Sequence, residues 1–196
     1  RRDLDRDHVA LDLYEGKCQA NAQRIECSGL GEIFTAAGDA TDLDACLAAY
    51  DEQLGRTALF DTVFVDAPCS GTGTMRRHGE IPWRLTPQEC DRDLPELQLE
   101  LLCEAARRVG AGGQLIYATC SVLHAENEGV VSAFLSSPEG AGFALRPLSV
   151  ALADAGPAYA DAAEEIAAHE TPAGAFQSYP HQGGFDGHFC ARFIRV

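Results

Sequence analysis

Residues 60–73 read FDTVFVDAPCSGTG, and the fold turns on them. The first seven, FDTVFVD, form an apolar run that reads as a strand central to a sheet. The strand ends in a carboxylate, Asp66. Pro68 then fixes the backbone, Cys69 supplies a thiol, and Gly71 and Gly73 let the chain approach a ligand closely. Residues 67–79 read as a Gly-rich loop. One thiol in a loop is ordinarily incidental to a strand-to-loop turn. A strand-end acid, a proline, a thiol and two glycines within eight residues point instead to chemistry at the end of a strand.

The flanking sequence alternates between strand and helix patterns. Val9–Asp12 (VALD) reads as a short buried strand, 15–27 as a helix, 33–36 as a second strand running into Gly38-Asp39-Ala40, and 41–50 as a helix. Beyond the loop, Thr86-Pro87-Gln88-Glu89 has the spacing of a capping box. A second start at Pro95 leads an amphipathic helix carrying Leu97, Leu101, Leu102, Ala105 and Val109, ended by Gly110 and Gly112-Gly113. Residues 114–118 (QLIYA) read as a strand that delivers Thr119-Cys120-Ser121. Residues 125–136 read as a helix, and 143–148 and 188–195 as late strands. Residues 149–175, rich in Ala, Gly and Pro, read as a loop with a short helix. This alternation predicts a parallel α/β sheet, in which ligands bind beyond the carboxyl ends of the strands. Asp12, Asp39, Asp66 and Cys120 all fall at or just after predicted strand ends, which places four chemically capable side chains at one edge.

Composition narrows the class. The chain has 196 residues, 46% hydrophobic and 23% charged, as expected of a folded domain rather than a disordered one. No apolar run reaches the roughly 18–20 residues that span a bilayer, so no membrane partner is expected. The opening RRDLDRDH does not resemble a secretory leader, which makes cytoplasmic the expected location. The eight cysteines include no CxxC pair, so reduced thiols are expected, and no metal site. A net charge of −15 argues against a self-sufficient nucleic-acid binder. RNA would then be gripped by a local basic patch, another domain or a partner.

DAPCSGTG, followed by RRHGEIPWR and later by GGQLIYATCSV and ENEGVV, closely resembles the Sun/Fmu-like (NOL/NOP/Sun) RNA 5-methylcytosine methyltransferases, the bacterial ribosomal RNA type most of all. The resemblance covers roughly residues 9–135 and returns at the C-terminus. It implies a Rossmann-like class I methyltransferase sheet and S-adenosylmethionine (SAM) as cofactor. It also implies methyl transfer to carbon 5 of an RNA cytosine that is single-stranded or flipped out. Cys120 matches the attacking nucleophile and Cys69 the cysteine that helps release product. Asp66 matches the acid that bonds the cytosine ring nitrogen. Asp12 matches the acid on the SAM ribose and Asp39 the one near the adenine amino group, with Asp66 and Pro68 completing the cofactor set. From the sequence alone, Asp12 could equally cap the following helix and Asp39 could be a plain turn residue. Arg76, Arg77, His78 and Arg84 match residues that face RNA phosphate; a solvated loop is the plain alternative. Trp83 is expected in the core, with a base-stacking platform as the alternative.

The sequence departs from the family in three places. His188, in GGFDGHF, stands where the family more often has an aromatic. His124 stands where proline is usual, before Glu126-Asn127-Glu128. Residues 1–11 hold no glycine, so nothing before Asp12 supplies the family's first strand and Gly-rich SAM loop. The expectation is a single methyltransferase catalytic domain over 1–196, N-terminally incomplete and weak in SAM binding by itself. Two other readings compete with it. A non-catalytic RNA-binding or interaction module is favoured by the charge and the missing loop. A cysteine hydrolase would need a histidine beside a thiol; His78, His124 and His181 are available, but no hydrolase string surrounds Cys69 or Cys120.

Overall fold

The computed structural model describes residues 8–29, 33–182 and 185–196. Most of the opening RRDLDRDH and the first two glycines of GGFDGHF therefore lie outside the described residues. Two compact units partition the chain, Arg1–Leu59 and Phe60–Val196.

In the first unit, strand β1 (Val9–Asp12) pairs in parallel with β2 (Phe34–Ala37), Asp12 lying opposite Ala37. Helix α1 (Glu15–Ser28) connects them and α2 (Leu43–Leu54) follows. Asp42 caps α2 by accepting the Ala45 N–H at 3.0 Å, as a helix start requires. Leu43, Leu47 and Tyr50 are the buried face of α2, and the Tyr50 ring lies 5.0 Å from that of Phe34. Both helices end on a glycine in the left-handed region, Gly29 and Gly55, each at φ 64°.

The second unit contains strands β3 (Phe60–Asp66), β4 (Val109–Thr119), β5 (Phe143–Leu145), β6 (Phe176–Gln177) and β7 (Phe189–Arg195). They form one sheet in the order β3-β4-β7-β5, with β6 on β7. β3 and β4 are parallel, whereas β7 runs antiparallel to β4, β5 and β6. The sheet is therefore mixed rather than wholly parallel. Among the described residues β3 ends this strand order instead of lying at its centre, and Phe64 on it is 60% exposed. Helices α3 (Ile81–Arg84), α4 (Leu94–Arg107), α5 (Glu128–Ser136), α6 (Leu148–Asp154) and α7 (Ala160–Ala167) complete the unit. The last two, joined by a 3-10 turn, occupy most of the stretch expected to be loop. None of the helices among the described residues is long and apolar enough to cross a membrane.

Two expected boundaries move. The capping box forms: the Thr86 N–H reaches Glu89 Oε2 at 2.8 Å, and the Glu89 N–H reaches Thr86 Oγ1 at 3.2 Å. A wide π turn, Glu89–Asp93, then runs straight into α4. The two expected helix starts are thus one helical run; Pro95, with no N–H to give, sits in the first turn of α4. Val109 and the following glycines belong to the strand, not the helix end. Phe60 pairs with Val109 but Thr62 with Gln114, so the extra β4 residues form an irregularity at Gly110–Gly113. Gly112 is at φ 71° there.

The core of this unit lies between sheet and helices. Leu102 of α4, Leu115 and Tyr117 of β4, Phe134 of α5, and Phe189 and Phe193 of β7 are fully buried. Each apolar side chain so buried contributes about 1.5–3 kcal/mol before entropy is counted. This anchors the β3 and β4 ends that carry the cysteine loops.

Candidate active site

Because β3 and β4 are parallel, with Asp66 opposite Ala118, their carboxyl ends share one edge. Cys69 follows the first end and Cys120 the second, and the loops bring their sulfurs to 3.3 Å. That is hydrogen-bond distance for a thiol and a thiolate. The bond divides the pair: donated by the Cys69 S–H, it lowers Cys120 to about 7 against partial burial and the negative fields of Asp66 and Glu126. The same bond, with burial added, raises Cys69 far above the ordinary thiol range. Either sulfur can donate in this bond; the shifts favour Cys120 as the more readily ionised thiol and Cys69 as the one held protonated.

Two glycines make the close approach possible. Gly71 is at φ 72°, where a side chain would be strained. A Cβ on Gly73 would lie 2.1 Å from the Gly187 carbonyl oxygen and 2.8 Å from that of Cys120. The Gly73 N–H donates to the Cys120 carbonyl at 2.9 Å, and the Gly187 N–H to the Gly73 carbonyl at 2.9 Å. Three backbone segments thus meet with no room for a side chain.

Beneath the thiols lies a buried polar network that ties both loops together. Glu126 is fully buried. Its Oε2 accepts the Ser70 N–H at 2.8 Å and Gln98 Nε2 at 2.9 Å, and its Oε1 accepts the Ser121 hydroxyl at 2.7 Å. Gln98 Nε2 also donates to the Pro68 carbonyl at 2.9 Å. The Tyr117 hydroxyl donates to the Glu126 carbonyl at 2.6 Å and to Gln98 Oε1 at 3.2 Å. Burial pushes the Tyr117 phenol well up, which keeps it a donor. Asn127 accepts from Thr119 Oγ1 at 2.7 Å and donates to the Ser121 carbonyl at 3.0 Å and to Gln177 Oε1 at 2.9 Å. Such interiors are stable only when every member has a partner. Here one carboxylate spans the residue after Cys69 and the residue after Cys120.

The remaining expected site residues divide among the two units. Asp66 is exposed at the end of β3, and its field acts on Cys120. Asp12 and Asp39 stand together in the first unit, one at the end of β1 and the other just past β2. Asp12 is not a helix cap, since Tyr14 holds that position of α1; its Oδ1 accepts the Tyr14 N–H at 3.0 Å. Asp39 Oδ1 accepts the Thr41 N–H at 3.0 Å and the Thr41 hydroxyl at 2.8 Å. Those two bonds hold the Asp39 carboxyl below its ordinary range. In both acids Oδ1 fixes the side chain to a local turn; Asp12 Oδ2 is also ion-paired with Lys17 Nζ at 3.7 Å. This donor set fits a ligand with hydroxyl and amino groups.

Arg76 and Arg77 are half taken up within the protein. Arg77 donates Nε to Asp186 Oδ2 at 2.7 Å, and Arg76 lies 3.6 Å from Oδ1. The Arg77 bond holds the Asp186 carboxyl below the usual range. His78 Nδ1 lies 3.4 Å from Glu80, and Arg84 is exposed. Trp83, expected in the core, is 89% exposed. In a four-residue helix only Ile81 reaches the interior. Among the described residues no histidine is seen bonded to either thiol.

Gln98, Tyr117, Glu126 and Asn127 were not singled out as site residues by sequence. A signal existed for Gln98: it lies on the face of α4 that also carries Leu94, Leu102 and Ala105, where an amide is out of place unless bonded.

Comparison with known proteins places this geometry. A family model described as 16S rRNA methyltransferase RsmB/F matches residues 6–194. Ribosomal RNA small subunit methyltransferase B of Pseudomonas syringae pv. tomato is 39% identical over 189 residues, 96% of this chain and 37% of that protein. The matches to the curated relatives span between 18% and 37% of their lengths. Among solved structures, PH0851 superposes with a TM-score of 0.72 at 26% identity, over 95% of this chain and 36% of that one. NSun6 from Pyrococcus horikoshii, solved with SFG, has a TM-score of 0.69 at 21% identity, over 97% of this chain and 41% of its own.

Proposed function

The chain belongs to the RsmB/F family of 16S rRNA methyltransferases, and on that premise we propose that it forms the catalytic part of an RNA cytosine-5 methyltransferase acting on small-subunit ribosomal RNA. The observation that carries this reading is the pair of cysteine sulfurs 3.3 Å apart at neighbouring strand ends, with Cys120 shifted down and Cys69 up. A module that only binds RNA has no use for it.

Carbon 5 of cytosine is a weak nucleophile. The Cys120 thiolate adds to carbon 6, forming an S–C6 bond and moving the electron pair towards carbon 5 and the ring nitrogen. Asp66, exposed beside Cys120, bonds that nitrogen and stabilises the altered ring. SAM, when bound, supplies an electrophilic methyl group to carbon 5. Water then takes the carbon 5 proton, the C5–H electron pair forms the C5=C6 double bond, and the C6–S pair leaves with Cys120 as the thiolate, with Cys69 assisting release. The cofactor residues are Asp12 and Asp39 for hydroxyl and amino donors, with Asp66 and Pro68 on the cytosine side. The archaeal relative solved with SFG, a SAM analogue, supports that cofactor. Arg76, Arg77, His78 and Arg84 face the RNA backbone.

Covalent capture tests the assignment. With methyl-labelled SAM and a small-subunit rRNA fragment, Cys120→Ala should abolish both methyl transfer and adduct. Cys69→Ala should attack more slowly, having lost the bond that lowers Cys120, and fail to release, leaving a protein–RNA adduct that resists denaturing gels. An adduct from Cys120→Ala and none from Cys69→Ala would reverse the two roles.

A further inference from the structure

Trp83 is an anomaly the proposed chemistry does not use. An indole 89% exposed to water is an unusual way to spend the largest apolar side chain. It is not on a loose loop. The Thr74 N–H donates to the Gly71 carbonyl at 2.8 Å, the Arg77 N–H to Thr74 at 2.8 Å and the Ile81 N–H to His78 at 3.2 Å. The Trp83 N–H bonds Glu80 at 3.1 Å and the Leu85 N–H bonds Ile81 at 3.2 Å. Ile81, two residues before Trp83, is buried, and its Cδ1 lies 3.3 Å from where a Gly71 Cβ would stand. A chain of turns therefore runs from the Cys69 loop to α3 and fixes the backbone that carries the indole.

Its surroundings are basic in a chain of net charge −15: Arg76, Arg77 and Arg84 against Glu80 alone in residues 75–84. We propose that Trp83 is a stacking platform for an unpaired RNA base next to the target cytosine, with Arg84 beside it for the phosphate. The inference rests on the RNA methyltransferase reading. A base offers an apolar face and a charged backbone together, which matches an exposed indole flanked by guanidinium groups. An apolar protein segment would match the indole but offer nothing to Arg84 or to the free N–H groups of Arg76 and Arg77.

Trp83 is the only tryptophan of the 196 residues, so the chain's indole emission reports on this side chain alone. Free protein should emit as a water-exposed indole and be strongly quenched by acrylamide. A single-stranded RNA oligonucleotide carrying the target cytosine should quench the emission by stacking and shield it from acrylamide. Base stacking is worth a factor of about five to 150 in affinity. Trp83→Ala should weaken RNA binding by that factor at unchanged circular dichroism, and Trp83→Phe should recover most of it. Saturating RNA should restore methyl transfer in Trp83→Ala, placing the defect in KM rather than kcat. RNA binding that leaves both the emission and the Trp83→Ala dissociation constant unchanged would overturn the platform while methyl transfer by wild type upheld the parent reading. Shielded, blue-shifted emission before RNA is added would also overturn it, showing that protein covers the indole. If wild type neither binds nor methylates RNA, the parent reading fails and the platform falls with it.

Discussion

The polar bolt beneath the thiols makes opposite predictions for two substitutions of one residue. Removing the Glu126 side chain leaves the Ser70 N–H, bonded to Oε2 at 2.8 Å, with no partner in a buried site. An orphaned buried donor costs about 1–3 kcal/mol, and each further bond lost about 0.5–1.5 kcal/mol. Gln98 keeps the Pro68 carbonyl, and the Ser121 hydroxyl keeps Ser70 and Thr72 nearby at 3.2 and 3.1 Å. Glu126→Ala should therefore lower stability by about 3–5 kcal/mol once the cavity is included. In Glu126→Gln the amide oxygen can serve Ser70 and Gln98, while its NH2 donates to Ser121 Oγ, whose proton turns to Ser70 or Thr72. That variant should cost about 1 kcal/mol. The thiols should diverge as well. In Glu126→Gln the 3.3 Å bond survives and the Glu126 share of the field that raises Cys120 is gone while that of Asp66 stays, so Cys120 should ionise at a lower pH than in the wild type. In Glu126→Ala the loops slip, the bond that dominates the Cys120 shift weakens, and Cys120 should ionise at a higher pH. Urea unfolding gives the stabilities, and the pH dependence of iodoacetamide alkylation, read by peptide mass, gives the thiols. Equal costs, or shifts of the same sign, would refute the account of Glu126 as the tie between the loops.

Three further outcomes follow from the same geometry. In the wild type, alkylation of Cys120 should rise through about pH 7 as the thiolate fraction grows, with Cys69 unreactive until Cys120 is blocked; equal rates at neutral pH would contradict the assigned polarity. Gly73→Ala, whose Cβ would meet the Gly187 and Cys120 carbonyl oxygens at 2.1 and 2.8 Å, should abolish methyl transfer and destabilise the fold by more than about 2 kcal/mol in thermal unfolding, because both neighbours are backbone. Arg77→Ala should weaken RNA binding and slightly flatten its salt dependence. Because Asp186 already holds that guanidinium at 2.7 Å, Arg77→Ala combined with Asp186→Asn should bind RNA better than Arg77→Ala alone, which filter binding at several salt concentrations would decide.

The residues that announced themselves in the sequence are those whose neighbours along the chain share their purpose. DAPCSGTG sits at a strand end with its glycines two residues apart, and the loop formed as that spacing required. TCS was legible for the same reason. The late strands were found but not their direction, because antiparallel pairing of β7 with β4 leaves no mark on the local pattern. Gln98 was missed because its partners, Pro68, Tyr117 and Glu126, are far from it in sequence. The glycines after Val109 looked like a helix stop, and only the register of β3 against β4 reveals that they absorb extra residues within a strand. Trp83 went the other way: a bulky aromatic is assigned to the core on average, and only a short helix with its one inward place taken by Ile81 says otherwise.

The antiparallel strand β7 has a consequence for how the protein comes into being. Ribosomes make β4 and β5 first, yet these strands are not neighbours; β7, made later, lies between them. Thr119 pairs with Phe189 and Gln114 with Ile194, some 70–80 residues apart in the chain. Until that segment is translated, β4 has an open edge and the core lacks Phe189, Ala191 and Phe193, all fully buried in the finished fold. Gly187, which locks the Cys120 loop against Gly73, arrives with the same segment. Long-range pairing of this kind slows folding and leaves apolar surface open meanwhile. The nascent chain thus completes both cysteine motifs well before it can fix their spacing, and the 3.3 Å approach of the two sulfurs waits on the late strand rather than on synthesis of the cysteines themselves.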